Sequence, residues 1–354
     1  MTKIAIIADT HFGARGDKQA LLDHMEVFYD QVFFPTLKEK NVAEVWHLGD
    51  LVDKRKGISF HTLATMKRVF LDPLALDADV YHTSFILGNH DMYYKNRVGP
   101  NALDELLSGY PFSVHTEPSI VDGITVIPWI CEETEKKARQ LISGASTRFC
   151  LGHLELRDWE MDRGRFSHTG DDKEDYRGFD AVLSGHFHHK SSYNNIHFMG
   201  APYQMTWTDY KDAKGFHIFD IDTGELEYIE NPYALFHKFI YDDTERNVTQ
   251  LLEEIEEKLQ ISDTFVKVIV RHKTNEFAFD SFIDRINSVG VADLQIVEDH
   301  RNIDLLSDDT IVEQAEDTLT ILNNYIEGME CHVEVAKLEY LLKSLYDEAE
   351  VLRV

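Results

Sequence analysis

"KIAIIADTHFG", residues Lys3 to Gly13, decides the fold. The run from Lys3 to Ile7 is short, apolar and rich in β-branched residues, the make-up of a strand buried on both faces. It stops at an aspartate and a histidine one residue apart, Asp9 and His11. The same arrangement recurs along the chain. "AEVWHL" (43–48) ends at "GDLVD" (49–53), and "TSFIL" (83–87) ends at "GNHD" (88–91). "RFCL" (148–151) ends at "GHLEL" (152–156), and "FDAVL" (179–183) at "SGHFHH" (184–189). Glycine at or next to four of these strand ends permits tight turns and close backbone approach. Between the first two strands, "KQALLDHMEVFYDQVFFPTLKEK" (18–40) places Leu21, Leu22, Met25, Phe28, Tyr29 and Val32 at helical spacing.

Strand and helix alternating in this way imply an α/β core with much parallel pairing. In such folds ligands bind beyond the carboxyl ends of the strands, which is where all five polar clusters fall. They gather Asp9, His11, Asp50, Asn89, His90, Asp91, His153, His186 and His188. In an extended segment side chains two apart share a face, so His186 and His188 can face one site while His189 looks elsewhere. The donors are carboxylates, imidazoles and one amide oxygen, with no thiolate, a set suited to Mn²⁺, Fe²⁺ or Zn²⁺ rather than calcium. Seven or so ligands exceed the needs of one ion, and two ions sharing a carboxylate would use them. Such pairs, ~3.5–4 Å apart, clamp phosphoryl oxygens and acidify water.

Composition sets the frame. The 354 residues, 43% hydrophobic and 28% charged, suffice for two or three domains. No repeat, signal peptide or membrane-length apolar run is found. Cys131, Cys150 and Cys331 are too few and too scattered for a disulfide framework, and a cytoplasmic location is expected. The net charge of −28, from 63 acidic and 35 basic residues, opposes free-standing nucleic-acid binding. Bound divalent ions and a local basic loop can reverse the field where it matters. Lys54, Arg55 and Lys56, directly after "GDLVD", are the candidate DNA-backbone contacts, a basic surface turn being the alternative. Asp53 is left without a catalytic role. His47, within an apolar run, is read as a core histidine, and His82, His115, His168, His189, His197 and His217 as packing or surface residues.

The ordered series "DTH", "GDLVD", "GNHD", "GH" and "GHFH" resembles the calcineurin-like metallophosphoesterases over roughly the first 200 residues. The resemblance implies a layered β-sandwich flanked by helices and a site for two Mn²⁺, with Mg²⁺ or another divalent ion as substitutes. Carried over by position, Asp9, His11, Asp50 and His188 would hold one ion, and Asp50, Asn89, His153 and His186 the other. His90 would be the unligated histidine that assists the leaving oxygen, and Asp91 would orient it through a hydrogen bond.

After "MGAPYQMTW" (199–207), the strand in "KGFHIFDID" (214–222) is similar to an element of SbcD-like DNA nucleases, closest to the nuclease subunits of tailed-phage recombination endonucleases. These are partners of SMC-like coiled-coil ABC ATPases. Beyond it, "LFHKFIYDD", "NVTQLLEEIEEKLQ", "FVKVIVRHK", "FAFDSFIDRINSVG" and "ADLQIVEDH" read as a βαβαβ unit, resembling the capping domain that such nucleases set against DNA. Leu319, Leu322 and Ile326, then Leu338, Leu341, Leu342 and Leu345, follow helical spacing near the chain end. In the family such a tail docks on the ATPase coiled coil; packing on this chain's own domains is the alternative.

The expected organisation is therefore a metallophosphoesterase domain at 1–232, a small α+β capping domain at 233–300 and a helical tail at 301–354. The resemblance implies a homodimer, with the helices between Phe60 and Leu107 as the candidate interface. It also implies double-strand exonuclease and single-strand endonuclease activity in DNA recombination, replication and repair. The competing expectations are a small-substrate phosphatase or nucleotide phosphodiesterase, and a DNA-tethering adaptor with structural metals.

Overall fold

The computed structural model describes residues 2–298, apart from 163–164, 245, 247 and 258–260. The sequence-predicted tail at 301–354, with Leu338, Leu341, Leu342 and Leu345, lies outside the described residues.

Two six-stranded mixed sheets stack face to face. The first runs, edge to edge, Leu226–Glu230, Gly215–Asp220, Lys3–Ile7, Glu44–His47, His82–Ile86 and Ser113–His115. The second runs Ser191–Tyr193, Ile196–Phe198, Ala181–Gly185, Phe149–His153, Ile124–Ile127 and Ser119–Val121. The five ligand-tipped runs are thus divided, three in the first sheet and two in the second. Within each sheet these strands pair in parallel: Ile7 lies opposite His47, His47 opposite Phe85, and Gly185 opposite His153. Parallel register brings their carboxyl ends to one edge of the sandwich.

Strand Lys3–Ile7 shows why the sequence demands two layers. Ile4, Ile6 and Ala8 join Trp46, Leu48, Phe149, Leu151, Leu183 and Phe219 in the core between the sheets. Ala5 and Ile7 point the other way, into a larger core shared with helical residues Phe28, Tyr29, Phe33 and Phe70. A strand that alternates between two cores must be apolar throughout, which its composition provides. A third core, around Ile142, Cys150, Tyr176, Val182 and Phe198, covers the outer face of the second sheet.

The helix expected at 18–40 forms as Gln19–Phe28 and Phe34–Glu39, joined by a π-helical turn at Tyr29–Phe33. Lys67–Leu71 makes the same kind of turn between Phe60–Met66 and Asp72–Leu76. In each case a proline, Pro35 or Pro73, follows within two residues. Proline lacks an N–H and its ring crowds the carbonyl four residues back; a wider turn before it lets the helix continue rather than break.

Strands Phe236–Asp242, Phe265–His272 and Asp293–Glu298 form a separate three-stranded sheet in that order. Helices Val248–Glu257 and Glu276–Ser288 accompany it, around a core that includes Phe239, Tyr241, Val266, Val268 and Phe282. Residues up to Val297 nevertheless make one compact unit. The Arg15 guanidinium lies 4.5 Å from the Phe265 ring and 5.2 Å from the Phe236 ring, and Lys18 Nζ lies 3.4 Å from Asp293. The small sheet is thereby tied to the turn that follows Asp9 and His11. No helix among the described residues is long and apolar enough to cross a membrane.

Candidate metal centre

The strand ends converge because the chain turns sharply as each strand stops. Asp9, His11, Asp50 and His186 all take left-handed backbone angles, with φ of 55°, 42°, 57° and 94°. Non-glycine residues adopt such angles at a cost, and they concentrate at functional sites. Two glycines make room for this crowding. A Cβ on Gly49, itself at φ 95°, would sit 2.3 Å from His153 Nδ1, and one on Gly88 would sit 2.2 Å from the Asp50 carboxylate.

Three groups of donors result, one of them His11, Asp53 and His90, with His11 Nδ1 3.6 Å from Asp53 Oδ1. Asp9, His11 and His188 form the second, with His11 Nε2 only 3.0 Å from His188 Nε2. Asp50, His153 and His186 form the third. Asn89 Oδ1 joins it, 3.0 Å from His153 Nε2 and 3.1 Å from His186 Nδ1. Asp50 stands between the last two groups, its Oδ2 3.4 Å from His153 Nε2 and 3.6 Å from His11 Nε2. The Asp9 carboxylate accepts the His186 backbone N–H at 3.0 Å, locking a loop of the second sheet onto the first. His189 turns away, with Nδ1 2.7 Å from Asp212. His47 is buried, 2.9 Å from the Thr10 hydroxyl.

His90 and Asp91 are not partnered as expected. His90 Nδ1 donates to the Asp53 carbonyl at 2.6 Å, and its backbone N–H donates to Asp50 Oδ1 at 2.7 Å. Asp91, fully buried, instead accepts backbone N–H groups from Gly88, Asp50, Leu51 and Val52 at 2.9–3.2 Å. The expectation that Asp91 orients His90 is therefore corrected: Asp91 clamps the two loops that carry Asp50 and Asn89, and a main-chain carbonyl orients the ring. Main-chain groups carry no residue-type signal, so sequence reasoning passed over Asp53.

A scan against protein-family models matches residues 2–190 to the calcineurin-like phosphoesterase family. That match spans more than half of the chain. The chain belongs to the calcineurin-like phosphoesterases. Among curated proteins, exonuclease subunit 1 of Enterobacteria phage T4 is 31% identical over 320 residues, covering 85% of this chain and 92% of that protein. A solved structure of a novel archaeal phosphodiesterase aligns with 65% of this chain and all of its own, at 12% identity and a TM-score of 0.32.

This phosphoesterase has a donor set that fits the divalent metals its family binds. The Leu48 carbonyl accepts from His153 Nδ1 at 2.7 Å, so Nε2 is the nitrogen turned inward, as in many metal-ligating histidines. It then faces Asn89 Oδ1 and Asp50 Oδ2, and three acceptors pointing at one another require a cation among them. Without a metal that cation is a proton: burial alone would lower the His153 pKa, but Asp50 and Asp9 outweigh it and raise it to about 9. Burial lowers His186 to about 3 and also depresses His11 and His188. Neutral imidazole is the form that binds metal. Burial raises Asp50 too, but His153 and His11 hold its carboxyl well below the usual range.

Two further residues shape the centre. Trp129 packs against His186, ring centroids 4.9 Å apart, and lines a cleft of about 320 Å³ together with Arg139, His153 and Asp171. Lys214 is buried, with Nζ 2.7 Å from Asp209, 2.8 Å from Asp212 and 2.8 Å from the His188 carbonyl. It fixes the backbone of the His188 loop. Sequence reading noticed "KGF" only as a strand start, where a buried lysine cannot be told from a surface one.

Lys214→Met is expected to cost about 3 kcal/mol at neutral pH, because the buried Asp209 loses its cation and the half-buried Asp212 keeps only His189. Burial alone would raise both carboxyls, and Lys214 helps to hold them below the usual range. In the wild type their stabilisation is present above the ordinary carboxylate pKa and lost as pH falls through the lowered values. In the variant burial prevails, so the folded state binds protons more readily than the unfolded one. The deficit should shrink from neutral to mildly acidic pH. Thermal melts at the two pH values check this, and a deficit unaffected by pH would refute it.

Proposed function

We propose that this phosphoesterase is a DNA nuclease, the catalytic subunit of an ATPase–nuclease complex that processes DNA ends. The observation that carries this reading is the extent of the phage exonuclease likeness. It spans 320 aligned residues, whereas the phosphoesterase family model ends at residue 190. The shared part thus includes more than the phosphate-hydrolysing core. That relative is a subunit, which supports a partner, in this reading an SMC-like coiled-coil ATPase. A homodimer and work in the cytoplasm, that of the host if the chain is phage-encoded, complete the proposal.

At the centre, Asp9, His11, Asp50 and His188 would hold one ion, and Asp50, Asn89, His153 and His186 the second, Mn²⁺ or Mg²⁺. Divalent ions there supply charge stabilisation to phosphoryl oxygens and make water acidic enough to attack at neutral pH. The chain's own contribution is positional. As the imidazolium, His90 keeps its Nδ1–H on the Asp53 carbonyl and gives its Nε2 proton to the departing sugar oxygen, leaving the neutral ring. Asp91 holds the loops that set the Asp50-to-Asn89 spacing.

The test is hydrolysis of linear duplex DNA and of a small aryl phosphodiester by the purified chain with Mn²⁺ or Mg²⁺, beside His90→Ala. The nuclease reading predicts metal-dependent DNA degradation that drops at least ~100-fold in the variant, the scale of general acid catalysis. Turnover of the aryl ester alone, unchanged when a coiled-coil ATPase partner is supplied, would instead favour a small-substrate phosphodiesterase.

A further inference from the structure

The basic turn at Lys54, Arg55 and Lys56, expected from the sequence to touch a DNA backbone, has beside it an exposed aromatic loop that has been given no role. Two loops leave the site side by side. One follows Asp53 as Lys54, Arg55 and Lys56; the other follows Asp91 as "MYYKNRV", residues 92–98. Across 54–56 and 92–98 the chain has five cations and no acidic side chain, against a net charge of −28 overall. Of the neighbouring carboxylates, Asp91 is buried, Asp53 is half-buried, and Glu133 accepts the Val98 N–H at 2.8 Å.

The second loop is rooted firmly. Met92 bridges Asn101, the Tyr93 N–H donates to the Pro100 carbonyl at 3.2 Å, and the Ala102 N–H donates to the Asp91 carbonyl at 2.7 Å. Its crest is aromatic. Tyr93 and Tyr94 each keep 40% of their surface in solvent, with ring centroids 4.7 Å apart and planes at 67°. The Arg97 guanidinium lies 3.9 Å from the Tyr94 ring, and Lys56 Nζ lies 5.9 Å from the Tyr93 ring, where the loops meet. Arg55, half-buried on the first of these loops, adds a guanidinium suited to a phosphate oxygen.

We infer that these loops form a landing surface for a single nucleic-acid strand, with Tyr93 and Tyr94 stacking on unpaired bases and Arg55 and Lys56 holding the adjoining phosphates. This rests on the nuclease reading and specifies its substrate end. Aromatic rings interleaved with cations track single strands because every unpaired base has a π-face and every linkage a phosphate. A closed duplex keeps its base faces stacked inside and offers only the second of these. Tyr93 is three residues from His90, so a strand gripped here is delivered directly to the centre.

The experiment measures binding of a fluorescent single-stranded oligonucleotide, and of the same backbone without bases, by anisotropy with EDTA present to prevent turnover. The wild type should bind the base-bearing strand at least ~10-fold more tightly, given the size of stacking contributions. Tyr93→Ala/Tyr94→Ala should lose that preference, while Tyr93→Phe/Tyr94→Phe keeps it. Arg55→Ala should weaken both strands alike and lower the dependence of log affinity on log salt by about 0.7, one phosphate contact. A wild type that binds both strands equally overturns the proposal whatever the variants do. So does an alanine pair that retains the preference. Failure is separable from that of the nuclease reading: metal-dependent DNA degradation without base preference sinks only the landing surface, and base preference without degradation sinks only the nuclease.

Discussion

Asp50→Asn is expected to lower phosphodiester hydrolysis by at least about a thousandfold, since it removes the charge shared by two of the donor groups. The carboxylate stands within 3.6 Å of one imidazole from each of these and also receives the His90 N–H. The amide is nearly the same size, so the loops retain their packing. What is lost is a carboxylate within 3.6 Å of both His11 and His153. Metal content by mass spectrometry and initial rates on an aryl phosphodiester should fall together. A variant that kept both its metal and its rate would remove Asp50 from the centre of the reading.

Asp91→Ala carries the largest expected loss of stability. Four buried backbone N–H groups would be left without an acceptor. At about 1 kcal/mol or more for each, the sum exceeds about 4 kcal/mol, or a fall in Tm on the order of 10 °C for a chain of this size. Asp91→Asn, with one acceptor oxygen, should lie between. This pair of variants also separates the clamp from the orienting role first expected. If Asp91 worked through His90, Asp91→Asn would lower kcat and leave Tm untouched. The clamp predicts that Tm falls in both, with metal content declining in step.

Much of this arrangement is legible in the sequence, for a particular reason. Each donor follows an apolar run of strand length, and parallel strands must present their carboxyl ends together. Alternation picks out His186 and His188 over His189, although the strand ends at Gly185 and His186 turns with φ 94°. The limits are equally physical. Asp91 has the residue type of an orienting carboxylate, and only the path of the backbone shows that four N–H groups reach it first. Lys214 looks like any strand-flanking lysine until Asp209 and Asp212 close over it. The π turns before Pro35 and Pro73 leave helical periodicity nearly intact, so a hydrophobic pattern reads straight through them.

The division of the donors between two sheets has a mechanical consequence. Asp9, His11, Asp50 and Asn89 follow strands of the first sheet, and His153, His186 and His188 come from the second. The gap between them is therefore gauged by the side chains packed inside the sandwich, Phe149, Leu151, Leu183 and Phe219 among them. Interiors are too densely packed to absorb a change in volume without moving. Any ion held across that gap would be sized at a distance, by hydrocarbon that never touches it, with residues in the dry middle of the molecule as its shims.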